Sequence, residues 1–140
     1  MNAFVQYWSR TTWLAHVYRR GSPLGHTAGN GFGAVRPGDL VYVVGREADE
    51  LLVLGRLVVA AVAEYGLGGE SDRALFTQQE AENIFQAPVW EARHHLLARP
   101  ATVATLRFDR VLDGRTLPAT GPSVRVLAPA EVAGLAATFE

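Results

Sequence analysis

Two apolar runs separated by a polar break dominate the hydrophobic pattern. Residues 40–44 read Leu-Val-Tyr-Val-Val, and residues 51–59 read Leu-Leu-Val-Leu-Gly-Arg-Leu-Val-Val. Both are rich in β-branched and aromatic residues, as buried strands are. A Pro37-Gly38-Asp39 turn opens the first run. Proline presets φ, glycine supplies a positive φ, and aspartate bonds nearby backbone. The polar stretch 45–50 then reads as a hairpin loop between the two strands. Gly55 interrupts the second, which signals a β-bulge or a close backbone approach. The pair predicts a long hairpin in a small, strongly bent sheet.

The remaining elements follow from the same kind of pattern. Residues 3–8 alternate weakly and carry three aromatics, predicting a first strand. Ser9 or Thr11 is positioned to cap a helix. Trp13, Leu14, Val17 and Tyr18 recur at helical spacing, so an amphipathic helix is expected over about 12–20, ended by Gly21 and Pro23. Residues 21–33 hold five glycines and read as a loop. Its Gly29-Asn30-Gly31-Phe32-Gly33 core is not a dinucleotide fingerprint, because it precedes a strand instead of following one. It is not a P-loop either, lacking Gly-Lys-Ser/Thr. Loops of this length in a compact domain are more often functional than idle.

Downstream, Thr77-Gln78-Gln79-Glu80 fits a capping box for a short helix that must stop before Pro88. Residues 89–98 favour a strand, and 102–112 alternate well enough for another, with a turn at Asp113-Gly114. Residues 123–127 suggest a short last strand, and Pro129 with Glu131 opens a terminal helix through 137. The consistent fold class is a single α+β domain over residues 1–140, with a small, mixed but mostly antiparallel β-barrel and short flanking helices.

Composition narrows the chemistry. At 140 residues and 49% hydrophobic content, the chain can bury a core without staples. It has no cysteine, which excludes disulfides and thiolate metal sites. All 13 cations are arginine, so a lysine nucleophile or Schiff base is ruled out. The arginine usage is best explained by a GC-rich compositional bias; the functional explanation is a preference for the better phosphate fork. A net charge of −1 argues against coating nucleic acid by bulk charge, but not against a local basic face. No apolar run reaches membrane-spanning length and no secretory signal opens the chain, so a cytoplasmic location without membrane association is expected.

In order along the chain, an aromatic strand, a short helix, a glycine/asparagine loop, the Gly-Asp strand and the Gly-Arg strand resemble the PUA-like superfamily, particularly its EVE, YTH and ASCH branches. Residues 104–112 look like the penultimate strand with its F-x-R-x-L ending, and Ser123-Val124-Arg125-Val126-Leu127 looks like the closing S-V-R-x-L segment. The common Lys-Ser-Glu-Pro opening and the Trp-x-x-Val-Arg-Asn signature of EVE domains are missing. The resemblance implies a small barrel and the recognition of modified bases in nucleic acid. It also implies a pocket between the first strand, the helix after it and the loop before the Gly-Asp strand.

The residue types agree in part with such a pocket. Holding a base outside a duplex takes flat π-faces, each worth roughly 1–3 kcal/mol of stacking, and polar groups for the base edge. Tyr7, Trp8 and Trp13 cluster in sequence, with Phe32 in the loop and Trp90 from elsewhere as further walls. Ser9, His26, Thr27 and Asn30 are the candidate edge readers. Each tryptophan is equally an ordinary core residue, Trp13 above all. Asn30 between glycines also suits a left-handed turn, and Asp39 suits capping its own turn. Arg19, Arg20, Arg36 and Arg56 are the candidate phosphate contacts, and each is also an ordinary solvated or salt-bridged cation. Adjacent His94 and His95 would face opposite ways on a strand, so no metal is expected, and no cofactor. Ser9, His16 or His26, and Asp39 form a triad on paper only, since no nucleophile elbow surrounds the serine.

The leading expectation is therefore a module that binds DNA or RNA and takes up a modified or extruded base, without catalysis. An ASCH-like hydrolase acting on RNA or a modified nucleoside, dependent on His26 or Asp39, is the alternative from another class. A partner-binding or small-metabolite module is the third. Exposed strand edges would also suit a homodimer.

Overall fold

The computed structural model describes residues 1–16, 26–29, 31–64, 94–98, 110–113, 116–117 and 123–139. Seven strands occur among them: β1 (Ala3–Tyr7), β2 (His26–Gly29), β3 (Leu40–Glu47), β4 (Glu50–Glu64), β5 (His94–Ala98), β6 (Arg110–Asp113) and β7 (Val124–Val126). Two helices accompany them, α1 (Arg10–His16) and α2 (Pro129–Ala137). The sheet runs β2-β5-β4-β3-β1-β7, with β6 pairing the first part of β4. Only β1 and β3 are parallel; every other ladder is antiparallel.

The β3–β4 hairpin is the centre, as the apolar runs predict. It is longer than they suggest: β3 continues to Glu47, and only Ala48 and Asp49 make the turn. Ala48 sits at φ 52°, where glycine is the usual occupant. The predicted bulge lies beside Gly55. Val43 pairs with Gly55 and Val44 with Val53, which leaves Leu54 as the extra residue. An inserted residue reverses the in–out alternation of a strand. Leu51 and Val53 accordingly face one core, whereas Leu54, Leu57 and Val59 face the other. A second shift leaves Ala60 unpaired between Val59 and Ala61. β4 thus carries two irregularities of the kind that bend a strand.

Each face of the sheet has its own cover. On one, α2 and its flanks pack Leu127 and Leu135 against Val5, Tyr42, Val44, Leu51 and Val53. On the other, Trp8, Trp13 and Phe32 pack against Phe4, Val41, Val43, Leu54, Leu57 and Val59. The Pro-Gly-Asp turn behaves as its residues predict. Gly38 takes φ 97°, and buried Asp39 accepts the Arg36 N–H through Oδ2 and the Asn2 N–H through Oδ1, both at 2.9 Å.

Two expectations are corrected. Residues 26–29, placed in the glycine loop, form strand β2, because pairing with β5 outweighs their weak strand propensity. The expected closed barrel is also absent among the described residues. β2 and β7 end the ladder unpaired with each other, so the sheet is not closed. The predicted helix at 77–87 lies outside the described residues, as do Val17 and Tyr18 and most of the strand expected over 102–112. No helix among the described residues is long and apolar enough to cross a membrane.

α2 starts at Pro129 without a side-chain cap from Ala128, and Glu131 supplies the missing acceptor. Its Oε1 takes the Ala128 N–H at 2.9 Å, while Oε2 binds Arg125 Nη2 at 2.5 Å. The Arg125 guanidinium and then the Ala128 N–H hold the Glu131 carboxyl below its ordinary pKa. A depressed folded-state pKa means stabilisation that is present above the unfolded value and lost as pH falls through the folded one. Glu131→Gln should therefore cost about 1–2 kcal/mol at neutral pH. The difference from the parent in thermal unfolding should shrink to nothing in acid. A gap that is constant with pH would contradict this.

Candidate functional site

Strand alternation decides which of the predicted residues meet. In β1, Phe4 and Gln6 face the same core as Trp8, whereas Val5 and Tyr7 face the other. Tyr7 is thus split from the two tryptophans although it adjoins them in sequence. Its ring instead lies under Arg46, whose guanidinium carbon is 5.3 Å from the ring centroid. Arg56 is corrected for a related reason. The Leu54 bulge turns it to the α2 face, 4.6 Å above the Phe139 ring and away from the tryptophans.

Trp8, Trp13 and Phe32 do come together, all buried in one core cluster. Trp8 follows β1 directly and is fixed by its N–H to the Val44 carbonyl, 2.8 Å. Trp13 is carried there by α1, whose start is capped as predicted: Ser9 Oγ accepts the Thr12 N–H at 3.2 Å and lies 2.9 Å from Thr12 Oγ1. Ser9 is thereby committed to the helix start. The indole of Trp13 packs against β3 at Gly45, where a Cβ would stand 2.7 Å from Trp13 Cδ1 and 3.0 Å from Nε1. Only glycine admits so close an approach.

The polar members are fewer than the sequence suggests, and the one at the centre was not foreseen. Gln6 is buried, and its Oε1 accepts both the Thr27 hydroxyl and Trp8 Nε1, the latter at 3.3 Å. This amide joins β1 to β2 across the curve of the sheet. A lone polar residue at a core-facing position of a strand was the available signal. Thr27, a predicted edge reader, is fully buried and held by it. His26 lies in β2 beside Thr27, but its side chain is outside the described residues, as are Asn30, Trp90, Arg19 and Arg20.

The rim is mixed in charge. Exposed Arg10 binds Glu47 Oε1 at 2.8 Å and places its guanidinium carbon 5.7 Å from the Trp13 ring centroid. Arg36 is exposed, but its Nη1 is committed to the Gly33 and Val35 carbonyls at 2.9 and 3.0 Å. Asp39, with each oxygen on a backbone N–H, holds a turn and a chain start together. The described residues contain no group of three or more side chains suited to a metal ion.

Compared with protein-family models, curated proteins and solved structures, the chain matches none of them.

Proposed function

We propose that the chain is a nucleic-acid-binding module that takes a modified or unpaired base into the ring cluster between β1, α1 and β2. The observation that carries this reading is the grouping, on one sheet face, of the Trp8, Trp13 and Phe32 rings with the Gln6 amide and the Thr27 hydroxyl. Rings replace the stacking that an extruded base loses, and polar groups read its edge. Arg10, exposed at the rim, suits a phosphate. The element order (aromatic strand, short helix, Gly-Asp strand, Gly-Arg strand, closing strand and helix) supports a PUA-like reading of the fold. Because the rings are packed, a base must displace Trp13 from Gly45 to stack beside Trp8.

Asp39 lends no support to a hydrolase, since both its oxygens are engaged by backbone. A partner- or metabolite-binding module is the second reading, favoured by the burial of both tryptophans, which fill the space a base would need.

Titration of tryptophan fluorescence with single-stranded oligonucleotides separates the two. Strands carrying 5-methyl- or 5-hydroxymethylcytosine should bind more tightly than unmodified DNA or RNA. Arg10→Gln should flatten the dependence of log K on log salt by about 0.7. Equal affinity for modified and plain strands removes the modified base from the reading. No binding to any strand leaves the second reading.

A further inference from the structure

Arg56 has no part in the base site, because the Leu54 bulge carries it to the α2 face. There it stands directly opposite Tyr42 in the β3–β4 ladder. Opposed residues of a ladder share a face, with Cβ atoms about 5 Å apart. Both side chains are short of polar partners. Tyr42 is fully buried, and its shielded hydroxyl has no hydrogen bond. The half-buried Arg56 guanidinium makes no hydrogen bond or ion pair among the described residues. One ring covers the pair. Phe139, two residues beyond the end of α2, has its centroid 4.6 Å from the Arg56 guanidinium carbon. The same centroid is 5.9 Å from that of Tyr42, with the two rings inclined at 51°. A phenyl ring gives a guanidinium a face to stack on, but it has no group to accept a hydrogen bond from arginine or tyrosine. An unpaired buried hydroxyl is destabilising, so stability alone does not account for this arrangement. The ring is also lightly held. Beyond Ala137 the chain continues by i to i−3 bonds, Thr138 N–H to Leu135 O at 3.1 Å and Phe139 N–H to Ala136 O at 3.0 Å. Helix ends of this kind fray.

We propose that Tyr42 and Arg56 form a second ligand site, for a flat aromatic ring carrying an oxyanion on a short arm, and that Phe139 occupies the ring's place until the ligand displaces it. The incoming ring stacks against Arg56 where Phe139 did. Its oxyanion takes the guanidinium N–H groups that a phenyl ring leaves idle, and its polar atoms give the Tyr42 hydroxyl a partner. Arginine suits both tasks, because its plane stacks while its edge donates. The site lies on the opposite sheet face from Trp8 and Trp13, so it stands independently of the base reading.

Isothermal titration calorimetry of the full chain tests this with two charged probes, adenosine 5′-monophosphate and indole-3-acetate, each beside its uncharged counterpart, adenosine and indole. At least one charged probe should bind about tenfold more tightly than its counterpart, as a charge-assisted hydrogen bond implies. Phe139→Ala should tighten that binding about tenfold again, because no ring has to be displaced first. Phe139→Leu, which fills the core but cannot stack on Arg56, should tighten it less, and it keeps the test open if the alanine variant unfolds. Arg56→Gln should bring the ratio of charged to uncharged probe near one. Tyr42→Phe, which keeps the ring, should weaken binding without lowering thermal stability. The probe that binds identifies the oxyanion as phosphate or carboxylate. Failure of both charged probes to bind either Phe139 variant overturns the inference. So does equal affinity in the parent and both Phe139 variants, unchanged affinity in Tyr42→Phe, or a preference for the charged probe that survives Arg56→Gln.

Discussion

Asp39→Ala lowers the stability of the fold by about 3 kcal/mol. Charge-assisted hydrogen bonds contribute about 1.5–3 kcal/mol each, and backbone donors left shielded cost more than donors that regain water. The two donors that Asp39 holds are far apart in sequence. Arg36 lies in its own turn, and Asn2 precedes β1, whose parallel pairing with β3 begins one residue on, at Ala3 and Leu40. The substitution therefore loosens the turn and the register of the two strands together. Urea denaturation should show the loss, and thermal unfolding should fall by roughly 10 °C. Asp39→Asn, which keeps one acceptor, should fall between. A loss below about 1 kcal/mol for the alanine variant would mean that the carboxylate does not clamp these strands.

Gly45→Ala carries the second large effect, about 1–3 kcal/mol for overpacking a filled core. A methyl group there would stand 2.7 Å from Trp13, so either β3, central in the sheet, or the ring must shift. The ring leaves its seat, tryptophan emission shifts to the red, and α1 loosens with it. Trp13→Ala costs stability by itself, through the cavity it opens. In the double variant, however, the Gly45→Ala penalty should disappear, because its cause has been removed; contacting residues couple in this way. Additive losses would show that something other than the ring forbids a side chain at position 45. The same variant bears on the proposed function. With Trp13 already displaced, base binding no longer has to move it.

Much of the architecture was legible in the chain because it depends on short-range chemistry. The turn at Pro37-Gly38-Asp39, the Ser9 cap and the start of the helix at Pro129 rest on contacts within a few residues, and the two central strands on their own apolar runs. The ring cluster was legible only in part. Trp8, Trp13 and Phe32 were expected near one another and are, but Tyr7 is on the far face because a strand side chain alternates. Gln6 escaped notice because a buried glutamine looks like any other until its partners are known, and those partners lie on β2.

By its own residues, the sequence determined the apolar runs, their breaks, the turn chemistry and the absence of thiol and lysine chemistry. It also located a bulge near Gly55. What it could not determine was the consequence of that bulge, because a one-residue insertion reverses every side chain beyond it. Only with strands β3 and β4 in register did Arg56 move to the Phe139 face and Leu57 to the tryptophan face. The making of β2 belongs to the tertiary structure as well, since four residues of which only Thr27 favours a strand become one when β5 offers hydrogen bonds. Local chemistry sets where the chain turns; long-range pairing sets which side chains meet.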